Sequence, residues 1–147
     1  MVLSYEEAAA AVHAAAERVR GRPTVERVPL LEAVGRVLAE AVRADRDQPP
    51  FPRSTRDGFA CRAEDLARET LRVMGQLRAG EAWAGGEIGP GEAVEIMTGA
   101  PVPAGADCVV MVEHVAVTDD GVALAGTRKV AAGENVVPAG AVARAGD

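Results

Sequence analysis

Aromatic residues are scarce: one Trp, one Tyr and two Phe make up 3% of a 147-residue chain. A core built around large rings is excluded. With 48% hydrophobic residues overall, burial has to come from closely packed Val, Leu, Ile and Ala. Cysteine is equally rare, and Cys61 and Cys108 have neither the C-x-x-C spacing of a zinc site nor the number needed for a disulfide framework. Each sits in an apolar, strand-like run, so both are expected as reduced, buried thiols. Positive charge is not in excess: Lys+Arg number 16 against 22 Asp+Glu, a net charge of −6. That balance argues against a nucleic-acid partner and against a membrane surface. No apolar run is long enough to span a bilayer, and the chain opens directly into an amphipathic pattern without a signal peptide. A cytoplasmic location is the resulting expectation. Phosphate-binding loops are also missing. Gly85, Gly86, Gly89 and Gly91 fit neither G-x-x-x-x-G-K-[ST] nor G-x-G-x-x-G after a strand, and read as turn glycines.

What is present falls into two textures. Ser4-Tyr5-Glu6-Glu7 is a capping-box start, followed by Ala8, Val12, Ala15 and Val19 at helical spacing. This predicts a helix over Tyr5–Arg20, stopped by Gly21 and Pro23. Its stripe is mostly alanine and permits close approach of another backbone. His13, four residues before Glu17, reads as half of a solvated surface pair. Thr24–Pro29 is expected as a strand, Leu30–Val34 as one helical turn closed by Gly35, and Val37–Val42 as a second strand. These elements are too few to bury a core alone; they need further chain or a second subunit.

From Gly58 onward short extended runs alternate with Gly, Pro and Asp. Strands are expected over Phe59–Arg62, Thr70–Leu77, Ala93–Met97, Cys108–Val117 and Val122–Leu124, with one helical turn over Ala63–Arg68. Asp119-Asp120-Gly121 is a hairpin signal. Trp83 is expected to pin the loop Ala79–Gly91. The fold class is α+β, mainly β: an N-terminal helix with short strands, then a β-rich module of twisted sheets and hairpins without a βαβ rhythm.

Two polar knots stand out. In Gln48–Arg62, three prolines (Pro49, Pro50, Pro52) hold the backbone extended before Arg53, Ser54, Thr55, Arg56 and Asp57, closed by Gly58. Hydroxyls, guanidiniums and a carboxylate presented together suit a polyanionic ligand or a metal ion. A polar linker ending in a D-G turn is the plainer reading of the same residues. The second knot, Met97-Thr98-Gly99-Ala100-Pro101-Val102-Pro103, sets a hydroxyl at a strand end in a rigid loop whose amides are able to face an oxyanion; a Pro-stiffened strand cap explains it as well. Glu113, in Val112-Glu113-His114, interrupts an apolar run and by default faces water.

With both knots in view, the chain resembles the N-terminal half of the molybdopterin molybdenumtransferases, the MoeA family that includes the corresponding domain of gephyrin. The likeness is carried by Pro29–Ala39, by Pro49-Pro50-Phe51 leading to Ser54 and Asp57-Gly58-Phe59-Ala60, and by Ile96–Pro103. Gly105–Val110 and Glu113 complete the order. The resemblance implies an elongated domain one, with a β-rich domain two inserted in it, before an α/β domain and a small β-barrel. On this chain it implies Met1–Asp47 as the incomplete first segment of domain one, Gln48–Pro138 as domain two, and Ala139–Asp147 as the start of the returning segment. It further implies a homodimer whose cleft lies between domain two of one subunit and the α/β domain of the other. Molybdate is inserted there into adenylylated molybdopterin, with release of AMP and help from magnesium or another divalent cation. The molybdopterin adenylylating protein and the missing α/β domain, in cis or trans, are the implied partners.

By the same resemblance Asp57 and Thr98 are the catalytic residues, with Asp57 also the metal ligand; Ser54, Gly99 and Glu113 are the substrate-binding ones. Two departures stand beside this. Arg56 occupies a position where the family commonly has a small or apolar residue, and is placed to pair with Asp57. Val136–Val142 lacks the family's basic run and its acid. The expectation is a half-enzyme, inactive without the missing α/β domain; the alternative is a free-standing, non-catalytic binding or dimerisation module with the same fold.

Overall fold

The computed structural model describes residues 2–21, 24–67 and 70–147. The chain divides into two compact units, Met1–Val42 and Arg43–Asp147.

In the first unit, helix α1 runs Tyr5–Val19, and its capping box is formed. The Glu7 amide donates to Ser4 Oγ at 3.2 Å, and the Ser4 amide donates to the Glu7 carboxylate at 2.8 Å. Arg20 turns extended, so the helix stops one residue short of the expected end; Pro23, named as part of the stop, lies outside the described residues. Glu17 pairs with Arg20 at 3.1 Å rather than with His13. Leu30–Glu32 forms a single 3-10 turn, and Gly35 follows at a φ of 80°. The strands expected over Thr24–Pro29 and Val37–Val42 are absent. Their alternation is genuine, but a strand exists only where a neighbour takes its amides and carbonyls. The apolar residues of this unit stay open to solvent: Leu31 is 90% exposed, Val34 89% and Val37 95%.

The second unit holds eight short strands: β1 Arg53–Ser54, β2 Gly58–Cys61, β3 Arg72–Leu77, β4 Glu92–Ile96, β5 Cys108–Met111, β6 Val115–Thr118, β7 Gly121–Leu124 and β8 Val136–Val137. The main sheet has the order β3-β4-β2-β5. β2 pairs antiparallel with β4 and β5, whereas β3 lies parallel to β4 across the long loop Arg78–Gly91. β2 is buried along its whole length, which is why it reads as an unbroken apolar run. Its alternation feeds two cores. Phe59 and Cys61 pack with Leu71, Ala93, Cys108, Val110 and Val122 on one face; Ala60 packs with Leu77, Ile88, Val94, Ile96, Ala100 and Val109 on the other. Phe59 gives the first core its one buried ring; the other buried members of both cores are Ala, Cys, Val, Leu and Ile.

The β6–β7 hairpin turns through Asp119-Asp120, with Thr118 opposite Gly121. Leu71 bridges to Val122, joining the hairpin to the first core. The run Cys108–Val117, expected as one strand, is instead broken by a 3-10 turn at Val112–His114. The cause is local: β2 begins at Gly58, opposite Met111, so β5 has no partner beyond that residue. The turn expected at Ala63–Arg68 covers Ala63–Ala67, and Arg68 lies outside the described residues. Trp83 pins its loop, its indole N–H donating to the Gly86 carbonyl at 2.9 Å while the ring lies against Gly75 and Gly85. Cys61 and Cys108 are free, buried and opposite one another, their sulfurs 3.8 Å apart. The last residues return beside Arg43–Gln48: the Ala44 amide donates to Asp147 and the Gly146 amide to Ala44, both at 2.9 Å. No helix among the described residues is long and apolar enough to cross a membrane.

Candidate functional site

The two polar knots meet at one edge of the main sheet. Asp57 immediately precedes β2, and Thr98 lies two residues beyond the end of β4, the strand paired with β2. Gly58 is required between them and the sheet, since a Cβ there would sit 1.9 Å from the Val110 carbonyl oxygen. Only glycine lets β2 start this close to β5. The Asp57 carbonyl accepts the Val112 amide at 3.2 Å, so its backbone is held on the β5 side as well.

The Asp57 side chain faces the second knot. Both the amide and the hydroxyl of Thr98 donate to its Oδ1, each at 2.7 Å. These bonds, the hydroxyl first and the amide second, hold the Asp57 carboxyl below the ordinary carboxylate range, against an opposing effect of desolvation. Both residues are exposed. One carboxylate oxygen is thus anchored and the other is left to solvent.

Ser54 supports the pair from beneath and is 2% exposed. Its amide donates to Ala100 at 3.0 Å, and its carbonyl accepts the Gly99 amide at 2.9 Å, zipping the two knots together. Its hydroxyl donates to the Arg56 carbonyl at 2.5 Å and accepts the Arg56 amide at 3.2 Å. Gly99 turns at a φ of 86°, where a side chain would be strained. Asp57, Thr98, Ser54 and Gly99 therefore form one cluster. Glu113 does not join it by any bond: it lies in the turn after β5, exposed, without a hydrogen bond or ion pair among the described residues.

Two expectations are corrected. Arg56 does not pair with Asp57; its guanidinium donates to the Thr55 carbonyl, at 3.3 Å, while Asp57 Oδ1 is engaged by Thr98. Nor does the second knot present amides to an anion. The Thr98, Gly99, Ala100 and Val102 amides donate to Asp57, Ser54, Met97 and Pro52 respectively, and Pro101 and Pro103 have none to give.

Asn135 stands in no motif of the sequence, yet it supports the site. It sits at a φ of 58°, its carbonyl accepts the Thr55 amide at 3.0 Å, and its Nδ2 donates to the Val109 carbonyl at 2.9 Å. It therefore ties the first knot to β5. The signal was available in principle, because asparagine between a glycine-containing turn and a β-branched pair is a frequent left-handed residue.

The cluster is acceptor-rich: one outward carboxylate oxygen and the lone pairs of the Thr98 hydroxyl, whose O–H donates to Asp57. Such a set fits a hard cation or its water shell. Among the described residues no group of three or more His, Cys, Asp or Glu is gathered. A cation held here keeps most of its shell from water or from a ligand, which is the habit of magnesium.

This sheet, with its paired knots, belongs to the MoeA family. Residues 3–147 match the family's N-terminal region, domains I and II. The molybdopterin molybdenumtransferase of Synechococcus elongatus is 39% identical over 131 residues, covering 84% of this chain and 32% of the relative. That of Bacillus subtilis is 46% identical over 94 residues, covering 60% of this chain and 22% of the relative. A crystal structure titled as a molybdopterin biosynthesis MoeA protein of Pyrococcus horikoshii superposes with a TM-score of 0.73 at 40% identity, over 83% of this chain and 33% of that one. A second, from the same source, gives 0.76 at 32% identity over 99% of this chain and 37% of that one. The match spans between about a fifth and just over a third of the length of these relatives.

Proposed function

We propose that this chain supplies one wall of the active cleft of a molybdenum insertase, which transfers molybdate into adenylylated molybdopterin during molybdenum cofactor biosynthesis in the cytoplasm. The observation that carries the reading is the Asp57 carboxylate, exposed, anchored through one oxygen by Thr98 and held ionised. Membership of the MoeA family and the names of the relatives supply the substrate class.

In this reading Asp57 Oδ2 binds magnesium or another divalent cation directly or through water. Thr98 fixes the orientation of that carboxylate, and its oxygen accepts a hydrogen bond from a ligand or a coordinated water. Ser54 and Gly99 hold the two knots at a constant separation, and Glu113 approaches the substrate only once the opposite wall is in place. When bound, the cation neutralises charge on phosphate and molybdate oxygens. The remaining chemistry requires groups outside this chain: an α/β domain in cis or trans, contributed across a homodimer, with substrate delivered by the molybdopterin adenylylating protein. The chain alone is inactive in this account.

The test is reconstitution. This chain is mixed with a separately produced remainder of a MoeA relative and supplied with adenylylated molybdopterin and molybdate. Molybdate-dependent release of AMP is expected from the mixture and from neither part alone. If the two parts associate and no AMP appears, the chain is a non-catalytic binding or dimerisation module.

A further inference from the structure

The cluster around Asp57 is built to accept, yet the ligand proposed for it is an anion. Something beside it has to meet the negative charge. The amides of the second knot are all taken by protein acceptors. The segment that pairs with β1 offers nothing: β8 sets Val136 opposite Ser54 and Val137 opposite Arg53, and Val136–Ala143 contains no ionisable side chain.

The first knot offers two exposed guanidiniums, Arg53 and Arg56, and Arg56 is the nearer to the carboxylate in the chain. It adjoins Asp57 in the chain, is exposed, and touches only the Thr55 carbonyl among the described residues. In the same unit Arg46, Arg62, Arg72 and Arg128 meet carboxylates, whereas Arg43 bonds to the Gly146 carbonyl, Arg78 to Gln76, and Arg53, like Arg56, makes no ion pair among the described residues. The Arg56 backbone is fixed more firmly than an exposed residue needs. The buried Ser54 hydroxyl grips the Arg56 amide and carbonyl at once, at 3.2 and 2.5 Å. The root is thus held firmly, and the guanidinium is tied only by its bond to the Thr55 carbonyl.

We infer that Arg56 is the anion-binding partner of Asp57, so that the pair reads a phosphate together with its divalent cation: carboxylate to the metal, guanidinium to the phosphate oxygens. The inference rests on the reading of Asp57 as a cation site and adds the group that recognises the anion. A guanidinium suits this role because it stays charged and offers two parallel donors to a phosphate. The two unlike charges are not paired in the structure: Thr98 holds Asp57 Oδ1, and the Arg56 guanidinium donates to the Thr55 carbonyl.

The probe is inorganic pyrophosphate, titrated calorimetrically into the intact chain with and without magnesium. Arg56→Gln is expected to weaken binding of magnesium pyrophosphate about tenfold or more and to flatten its salt dependence. Arg56→Lys should recover part of the loss. Lys129→Gln removes the same charge at an exposed position away from the knots and should change the affinity less than twofold. Asp57→Asn should abolish the advantage of adding magnesium. If Arg56→Gln binds as the unaltered chain does, or if Lys129→Gln loses as much, the inference fails while the Asp57 reading stands. If Asp57→Asn keeps its magnesium dependence, the cation reading fails and a loss in Arg56→Gln marks a plain anion site. Absence of binding to the unaltered chain overturns the inference outright.

Discussion

The Thr98 amide and hydroxyl converge on a single oxygen of Asp57, at 2.7 Å each. A strand-end threonine and a residue 41 positions earlier are thereby one unit. The arrangement makes a permanent carboxylate at an exposed position, with one oxygen committed to the protein and the other to whatever binds. Thr98→Val removes the hydroxyl donor and keeps the amide. The Asp57 pKa should then rise toward the ordinary carboxylate value without reaching it, as followed by carboxyl carbon shifts in an NMR titration. An unchanged titration would show that the hydroxyl contributes nothing to the charge state.

Glycine 58 is the tightest point of the site. Gly58→Ala drives a Cβ into the Val110 carbonyl, which neither strand can relieve without losing its register. A loss on the order of 1–3 kcal/mol in denaturant unfolding is expected. Gly21→Ala, where nothing lies within 4 Å, should stay within about 0.5 kcal/mol. Equal effects at the two positions would contradict the close approach of β2 to β5.

Acid should weaken the β-rich unit. Three carboxyls are held below their ordinary range: Asp57 by Thr98; Glu92 by the Gly89 amide, with Arg72 assisting against desolvation; and Glu134 by Arg128. A lowered folded-state pKa contributes stability that is present above the unfolded-state value and lost as pH falls through the folded one. The melting temperature should be level above about pH 5 and should fall below it. Glu134→Gln should flatten that fall. A melting temperature that rises on acidification would reverse the sign of the argument.

The paired cysteines should be silent in the folded protein. Contact with Cys61 and burial push the Cys108 thiol far above its ordinary range, so reactive thiolate is scarce. A thiol reagent should label neither residue in the native chain and both in denaturant. Rapid native labelling would mean that β2 and β5 separate readily.

What the sequence made legible was whatever is decided locally. Ser4 and Glu7 make a capping box from residues three apart, and Asp119-Asp120 turns a hairpin from its own backbone preferences. The parallel alignment of β3 with β4 depends on where a long loop delivers the chain, and no local pattern encodes it. Thr24–Pro29 and Val37–Val42 have the alternation of strands and lack the partners. The site divides the same way. Residue types and order pointed to Asp57, Thr98, Ser54 and Gly99, but not to the direction of their bonds. The bond from the Thr98 hydroxyl to Asp57 is not written in the order of the residues, and Arg56, a chain neighbour of Asp57, does not pair with it.

The central claim is that the Asp57 carboxylate does chemical work and is more than a turn residue. Asp57→Asn keeps Oδ1 and its two bonds from Thr98 while removing the negative charge. In the reconstituted insertase, molybdate-dependent AMP release should fall by about 100-fold or more, with the melting temperature of the chain little changed. Activity within twofold of the unaltered mixture would contradict the account.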